Sequence, residues 1–198
     1  MIRFLKRLRS LRRDDRGTAI TEFALTAPLF LLILMGIFDY SWQMYGKQVL
    51  SGAVAKAARA ATLEGNSGTQ TALDTAVRNK VQNVFADANV TFTRKAYDSY
   101  DEIGDPENYT DSNKNGRYDT GECYQDVNGN HNWDSDRGQN GNGGAEDVVV
   151  YTASMQITRI LPVWTMLGQP QSTTIKASTV LRNQPYAAAT STNVVICT

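Results

Sequence analysis

Gly17-Thr18-Ala19-Ile20-Thr21-Glu22-Phe23 leads without interruption into an apolar run from Ala24 to Phe38. As a helix, Thr18 to Phe38 would reach about 31 Å at about 1.5 Å per residue, enough to cross a bilayer. A charged side chain at the bilayer centre costs roughly 2.5–3.5 kcal/mol even on lenient scales. Glu22 at the head of such a run therefore needs a physical reason. Either it rests at headgroup level on an ordinary signal anchor, or a positive group answers it inside the membrane, where a paired charge is far cheaper than an isolated one.

The flanks fix the expected orientation. Residues 1–17 carry Arg3, Lys6, Arg7, Arg9, Arg12, Arg13 and Arg16 against Asp14 and Asp15. A basic cluster directly ahead of an apolar span fits a cytoplasmic leader better than a nucleic-acid patch. A secretory signal peptide would want small residues at a cut after the apolar run, and the chain instead has Asp39-Tyr40-Ser41-Trp42. Tyr40, Trp42 and Tyr45 read as an interfacial aromatic belt, with the rest of the chain outside the cytoplasmic membrane. Pro28 lacks an amide donor and predicts a kink or local break in the span.

The formal charge is zero overall, but residues 101–147 are strongly acidic, so neutrality comes from two opposed segments. Beyond the belt, Val49, Ala53, Val54, Ala57, Ala58 and Ala61 recur at helical spacing, and Glu64-Gly65-Asn66-Ser67-Gly68 ends that helix. A second helix is expected from about Thr69 to Phe85. Strands are expected over Asn89–Ala96, Glu146–Leu161 and Ser172–Leu181, with a loop at Pro162–Pro170 that offers Trp164 to a core. The pattern predicts an α+β fold of two helices and a small antiparallel sheet. It divides as a leader (1–17), a membrane helix and belt (18–45), a helical part with the first strand (46–100), an Asp/Asn/Gly-rich insertion (101–145), and C-terminal strands and tail (146–198).

A glycine, four residues and then Glu22-Phe23 at the front of an apolar helix resembles the processing site of type IV-type prepilins. The whole stretch from Gly17 through Pro28 to Leu32, the Ala-rich Gln48–Ala61, and the end at Leu161-Pro162 and Ile175–Tyr186 resemble TadE-like pseudopilins of the tight-adherence pilus system. The resemblance implies cutting after Gly17 by a prepilin peptidase, a new N-terminus at Thr18, and Glu22 facing the freed ammonium of a neighbouring subunit. It also implies as partners other pilin subunits, an inner-membrane pilus platform and membrane lipid, with no nucleic acid. The insertion and the tail at 187–198 depart from the family's usual short form.

That insertion carries a second chemical signal. Asp111, Asn113, Asn115, Gly116, Arg117, Asp119 and Glu122 satisfy D-x-[DN]-x-[DN]-G-x5-E, the pattern of a calcium loop. Side-chain oxygens would come from Asp111, Asn113 and Asn115, a carbonyl from Arg117, a direct or water-mediated contact from Asp119, and a bidentate carboxylate from Glu122. The pattern returns fifteen residues on, more weakly, in Asp126, Asn128, Asn130, Asn132, Asp134 and Asp136. There His131 stands at the turn glycine and Arg137 at the closing glutamate, so Asp136 is the expected substitute. No helices are expected around the loops, which resemble those of dockerin or thrombospondin type 3 repeats more than an EF-hand. A polar insertion that only mimics the pattern is the competing reading.

Cys123 and Cys197 are expected to form an intramolecular disulfide in an extracytoplasmic compartment, with free thiols or a bond between molecules as the alternatives. Catalysis has little support: His131 is the single histidine, and no spacing selects an acid pair. Two functions remain. One is a minor pilin in assembly of a pilus for adhesion or secretion. The other is a membrane-tethered, calcium-dependent surface-binding protein.

Overall fold

The computed structural model describes residues 17–64, 70–183 and 194–197. The basic leader before Gly17, the Gly65–Gly68 stop and the stretch from Gln184 to Asn193 lie outside the described residues. The architecture is α+β: a long helix α1 (Thr18–Glu64), a helix α2 (Gln70–Gln82), and strands β1 (Asn89–Tyr97), β2 (Tyr124–Asp126), β3 (Gln139–Asn140), β4 (Val148–Thr158), β5 (Ser172–Arg182) and β6 (Val194–Ile196). A single helical turn, α3 (Val163–Met166), lies between β4 and β5. The chain divides into two units. The first contains α1 up to Met44 together with Arg159–Gln171, and the second contains Tyr45–Thr158 and the segment from Ser172.

In the first unit α1 carries apolar residues on every side up to Phe38, with Glu22 the one charged exception. Ile20, Phe23, Leu25, Phe30, Ile33 and Phe38 are all exposed, and a helix with no polar face belongs in an apolar surrounding. It is the one helix among the described residues long and apolar enough to cross a membrane. The expected break at Pro28 is absent, because the helix continues through that position. Turns rich in Leu and Ala on either side carry it across the missing amide.

In the second unit the pattern becomes one-sided. Leu50, Ala53, Val54, Ala57 and Ala58 of α1 are buried, the i, i+3, i+4, i+7, i+8 stripe of a helix packed along one face. Gly46 opens this stripe. A Cβ there would lie 3.1 Å from Ile175 and 3.3 Å from Met155 and Phe85, so any larger residue would require these side chains to shift by a few tenths of an ångström. From α2, Val77 and Val81 are buried, followed by Phe85.

The main sheet has the order β3-β1-β4-β5, and the pairs are antiparallel. Register sets Val90 opposite Met155 and Met155 opposite Ile175, and Phe92 opposite Ala153 and Ala153 opposite Ala177. These residues share one face, and Val149, Tyr151 and Ile157 of β4 continue it. The opposite face shows Thr91, Thr93, Thr152, Ser154, Thr174 and Ser178, the alternation of a sheet with one packed side. On the packed side Asp74 of α2 takes Arg94 Nη2 at 2.5 Å and the Tyr151 hydroxyl at 2.8 Å. The Arg94 guanidinium sits 4.8 Å over the Tyr151 ring. Burial and the Asp74 carboxylate push the Tyr151 hydroxyl well above its ordinary range. A second sheet pairs β2 with β6, and the Cys123–Cys197 disulfide stands beside it.

Candidate functional site: the anchor clamp and the paired loops

Gly17, Thr18, Glu22 and Phe23 are exposed at the start of α1. Thr21 donates its hydroxyl to the Thr18 carbonyl at 2.8 Å, and Thr26 donates to the Glu22 carbonyl at 3.1 Å, which keeps both hydroxyls satisfied without water.

Where the apolar run ends, the structure places a clamp that spacing did not reveal. Asp39 is only 5% exposed. Its Oδ2 accepts from Arg159 Nη1 at 2.6 Å, Gln43 Nε2 at 2.7 Å and Trp164 Nε1 at 2.9 Å. The Arg159 guanidinium also lies 4.4 Å over the Trp164 ring. Trp164, expected as a core residue, is half-buried and serves this contact instead. Gln171 closes the base of the tip by donating to the carbonyls of Arg159 and Leu161 at 2.7 and 3.0 Å.

The insertion folds as two loops related by a local twofold. In the first, Asp111 accepts the backbone N–H groups of Asn115 and Gly116 at 3.1 and 2.8 Å. In the second, Asp126 accepts those of Asn130 and His131 at 3.2 and 2.9 Å. Asn113 and Asn115 both donate to Asp119 Oδ2, at 2.7 and 2.6 Å, and Asn128 and Asn130 do the same to Asp134, at 2.7 and 2.6 Å. The positive ends of two amide groups thus gather at one carboxylate oxygen in each loop. They hold the Asp119 carboxyl below the usual carboxylate range. The fourth and sixth positions take left-handed backbone in both: Lys114 (φ 60°) and Gly116 (φ 76°), then Gly129 (φ 74°) and His131 (φ 62°). The glycine changes place between the loops while the conformation does not. Arg117 and Asn132 hold the seventh positions, each with its N–H bonded to the asparagine two residues earlier.

The closing acids are exchanged. Glu122 accepts the backbone N–H of Ser112 at 2.8 Å and of Asp119 at 3.1 Å. The corresponding groups of the second loop, the N–H of Val127 and of Asp134, bind Glu107 at 2.9 and 3.0 Å. Glu107 is fully buried. It precedes the first loop as Glu122 precedes the second, four residues ahead of the leading aspartate in each case. Each glutamate therefore closes the other loop. The twofold extends to the backbone, where Thr110 N–H bonds the Cys123 carbonyl and Gln125 N–H the Asn108 carbonyl, both at 2.8 Å. Tyr118 and Trp133, at matching positions, stack at 4.8 Å, and Tyr109 meets both edge-on. This small aromatic core takes the place of flanking helices.

Asp136 and Arg137 are directed elsewhere. Asp136 accepts from Lys95 Nζ at 2.5 Å and the Tyr97 hydroxyl at 2.9 Å. Burial works to raise its carboxyl, but Lys95, the Gly138 N–H and Tyr97 together hold it below the usual range. Burial and Asp136 push the Tyr97 hydroxyl up to about 12. Arg137 pairs with Glu102 at 2.9 Å. Among the described residues no three His, Cys, Asp or Glu side chains are placed to hold a metal ion by themselves. The loops instead set acids and asparagines side by side, residue types whose oxygens are of the hard kind that Ca2+ takes. Sequence reasoning missed Glu107 because it measured each loop from its aspartate. Counting the fifteen-residue repeat from Glu107 would have found it.

The disulfide joins Cys123, between the two loops, to Cys197, with Cα atoms 4.1 Å apart. It ties β6 to the insertion, where Tyr124 pairs with Ile196 and Asp126 with Val194.

Comparison with known proteins bears on the N-terminal part. The family model described as TadE-like protein matches residues 17–59. No match was found among curated proteins or among solved structures. The family match covers well under half of the 198 residues and contains neither loop. Gly17, Glu22, the apolar span and the buried stripe Leu50–Ala58 of α1 all lie within it, and that segment is similar to the TadE-like family.

Proposed function

We propose that this chain is a TadE-like minor pilin or pseudopilin that takes part in assembling a Tad-type pilus for adhesion or secretion. It is held in the cytoplasmic membrane by Thr18–Phe38, with the basic leader cytoplasmic and the remainder outside. A prepilin peptidase cuts after Gly17. Glu22 then answers the Thr18 ammonium of a neighbouring pilin subunit, and the helix packs with other pilins or with the inner-membrane platform. The observation that carries this reading is a helix with apolar side chains exposed all round. Glu22 is the only charged residue between Thr18 and Phe38, in the segment that the family model matches. Glu22→Ala is expected to stay in the membrane and to be missing from sheared filaments, while Glu22→Asp enters them. Undiminished entry of Glu22→Ala contradicts the proposal.

We further assign Ca2+ to both loops. The first would use Asp111, Asn113, Asn115, Asp119 and Glu122 with the Arg117 carbonyl. The second would use Asp126, Asn128, Asn130 and Asp134 with the Asn132 carbonyl, closed by Glu107. Support comes from Glu107 and Asp126, which are 0% and 1% exposed, with no Lys or Arg paired to them among the described residues and the exposed His131 imidazole 3.5 Å from Asp126. Buried carboxylates of this kind favour a bound cation. The ion would stiffen an acidic segment that otherwise repels itself.

A second reading, calcium-dependent surface binding, draws on an open polar cleft beside the second loop, lined by Lys95, Asn128, Asn130, Asp134, Asp136 and Asn140. Under that reading Glu22→Ala leaves surface binding intact, whereas removal of Ca2+ abolishes it.

A further inference from the structure

We propose that the tip between β4 and β5, Arg159–Gln171, lies in the lipid headgroup region as a second membrane contact beside the anchor helix. The inference rests on α1 spanning the membrane. Three observations within the first unit carry it.

The tip is apolar where a turn is ordinarily polar. Ile160, Met166 and Leu167 are 68%, 73% and 62% exposed, and no Asp, Glu, Lys or Arg occurs from Ile160 to Ile175. Clustered exposed side chains of this size on one short turn mark a contact surface.

Its height is fixed by the clamp. Asp39 is the residue immediately after Phe38, the last of the apolar run. Its Oδ2 holds both Arg159 and Trp164. Wherever Phe38 leaves the hydrocarbon, the tip is therefore within hydrogen-bond reach of that level.

Its chemistry suits that level. Trp164 is half-buried, with Arg159 over one part of its ring and its indole N–H satisfied by Asp39, the amphipathic arrangement favoured at membrane interfaces. The buried Arg159–Asp39 pair lets the tip enter the headgroup layer without carrying a net charge there. Continuity with the exposed apolar surface of α1 favours lipid over a second copy of the chain as the cover.

The test places the full chain in nanodiscs of phosphatidylcholine and phosphatidylglycerol whose acyl chains are brominated near the headgroup. Two single-tryptophan variants are compared. Trp42→Phe with Trp133→Phe leaves Trp164, and Trp164→Phe with Trp133→Phe leaves Trp42 as a reference for the anchor. Trp164 is expected to be quenched to an extent comparable with Trp42. Adding Met166→Ser and Leu167→Ser should cut the Trp164 quenching several-fold and shift its emission to the red. Quenching of Trp42 with none of Trp164 overturns the inference while leaving the anchor in place. Quenching of neither overturns the anchor reading and the inference together. Shielding of Trp164 that depends on the number of copies per disc assigns the tip to a second copy, and overturns the inference as well.

Discussion

Glu107 and Glu122 are exchanged partners: each glutamate, four residues ahead of one acidic loop, bonds the backbone N–H groups at the second and ninth positions of the other. Neither loop is complete without the segment that precedes its neighbour. Under the calcium proposal, this exchange of contacts is a physical basis for coupling between the two binding events.

Calorimetry on the full chain in detergent should therefore show two Ca2+ bound with positive cooperativity. Glu107→Gln is expected to weaken the second loop, Glu122→Gln the first, and either change to reduce the cooperativity. Asp136→Ala should leave both affinities nearly unchanged, because its carboxylate belongs to Lys95 and Tyr97. Loss of a site in Asp136→Ala with retention in Glu107→Gln would reverse the assignment.

The Asp39–Arg159 pair should be costly to break from one side. Both side chains are largely buried, at 4% and 13% exposure, so little solvent screening is left to discount. Asp39→Ala leaves a buried guanidinium uncompensated, at a cost on the order of 3 kcal/mol. Limited proteolysis in nanodiscs should then cut between Arg159 and Gln171, where the wild type resists. Arg159→Ala with Asp39→Ala should be less affected than Asp39→Ala alone. Equal loss in the single and double variants would show that the pair acts only through packing.

Much of this architecture was legible in the sequence. The change in α1 from apolar all round to one buried stripe, the alternation in β1, the Val-rich composition of β4, and the leading aspartates of both loops are local patterns. Each can be read within a dozen residues. The clamp could not be found that way, since Asp39 and Arg159 are 120 residues apart and nothing in the spacing of either announces the other. β6 escaped notice for a similar reason, as three residues have too little alternation to register and its place is set by Cys197 and the β2 register. The loop position of Asp136 predicts a closing acid, whereas the fold turns it toward Lys95 and Tyr97 of β1.

Reduction of the Cys123–Cys197 bridge should loosen the tail more than the rest. A bridge with a sequence separation of 74 stabilises by about 4 kcal/mol in the chain-entropy model. Cys123→Ser is expected to speed hydrogen exchange at Val194–Ile196 and Tyr124–Asp126 while leaving β4 and β5 protected. Uniform loss of protection across the sheet would contradict this local role.

The Tyr97–Asp136 contact gives pH dependence at both ends. Tyr97 is raised to about 12 from an ordinary 10.0. The folded state therefore holds its proton more tightly, and stability is full below about pH 10 and lost as pH rises toward about 12. The Asp136 carboxyl is lowered, so its contribution is present above the ordinary carboxylate range and lost as pH falls through the lowered folded value. Urea unfolding across pH should show both declines flattened in Tyr97→Phe with Asp136→Asn. Unchanged slopes in that variant would assign the dependence to other groups.

The mass of the N-terminal peptide of the chain isolated from its own membrane tests the account most directly. A chain beginning at Thr18, with Glu22 as its fifth residue, is the predicted result. A mature chain that still begins at Met1 would leave Glu22 without a freed ammonium to answer it, and would contradict the assembly role.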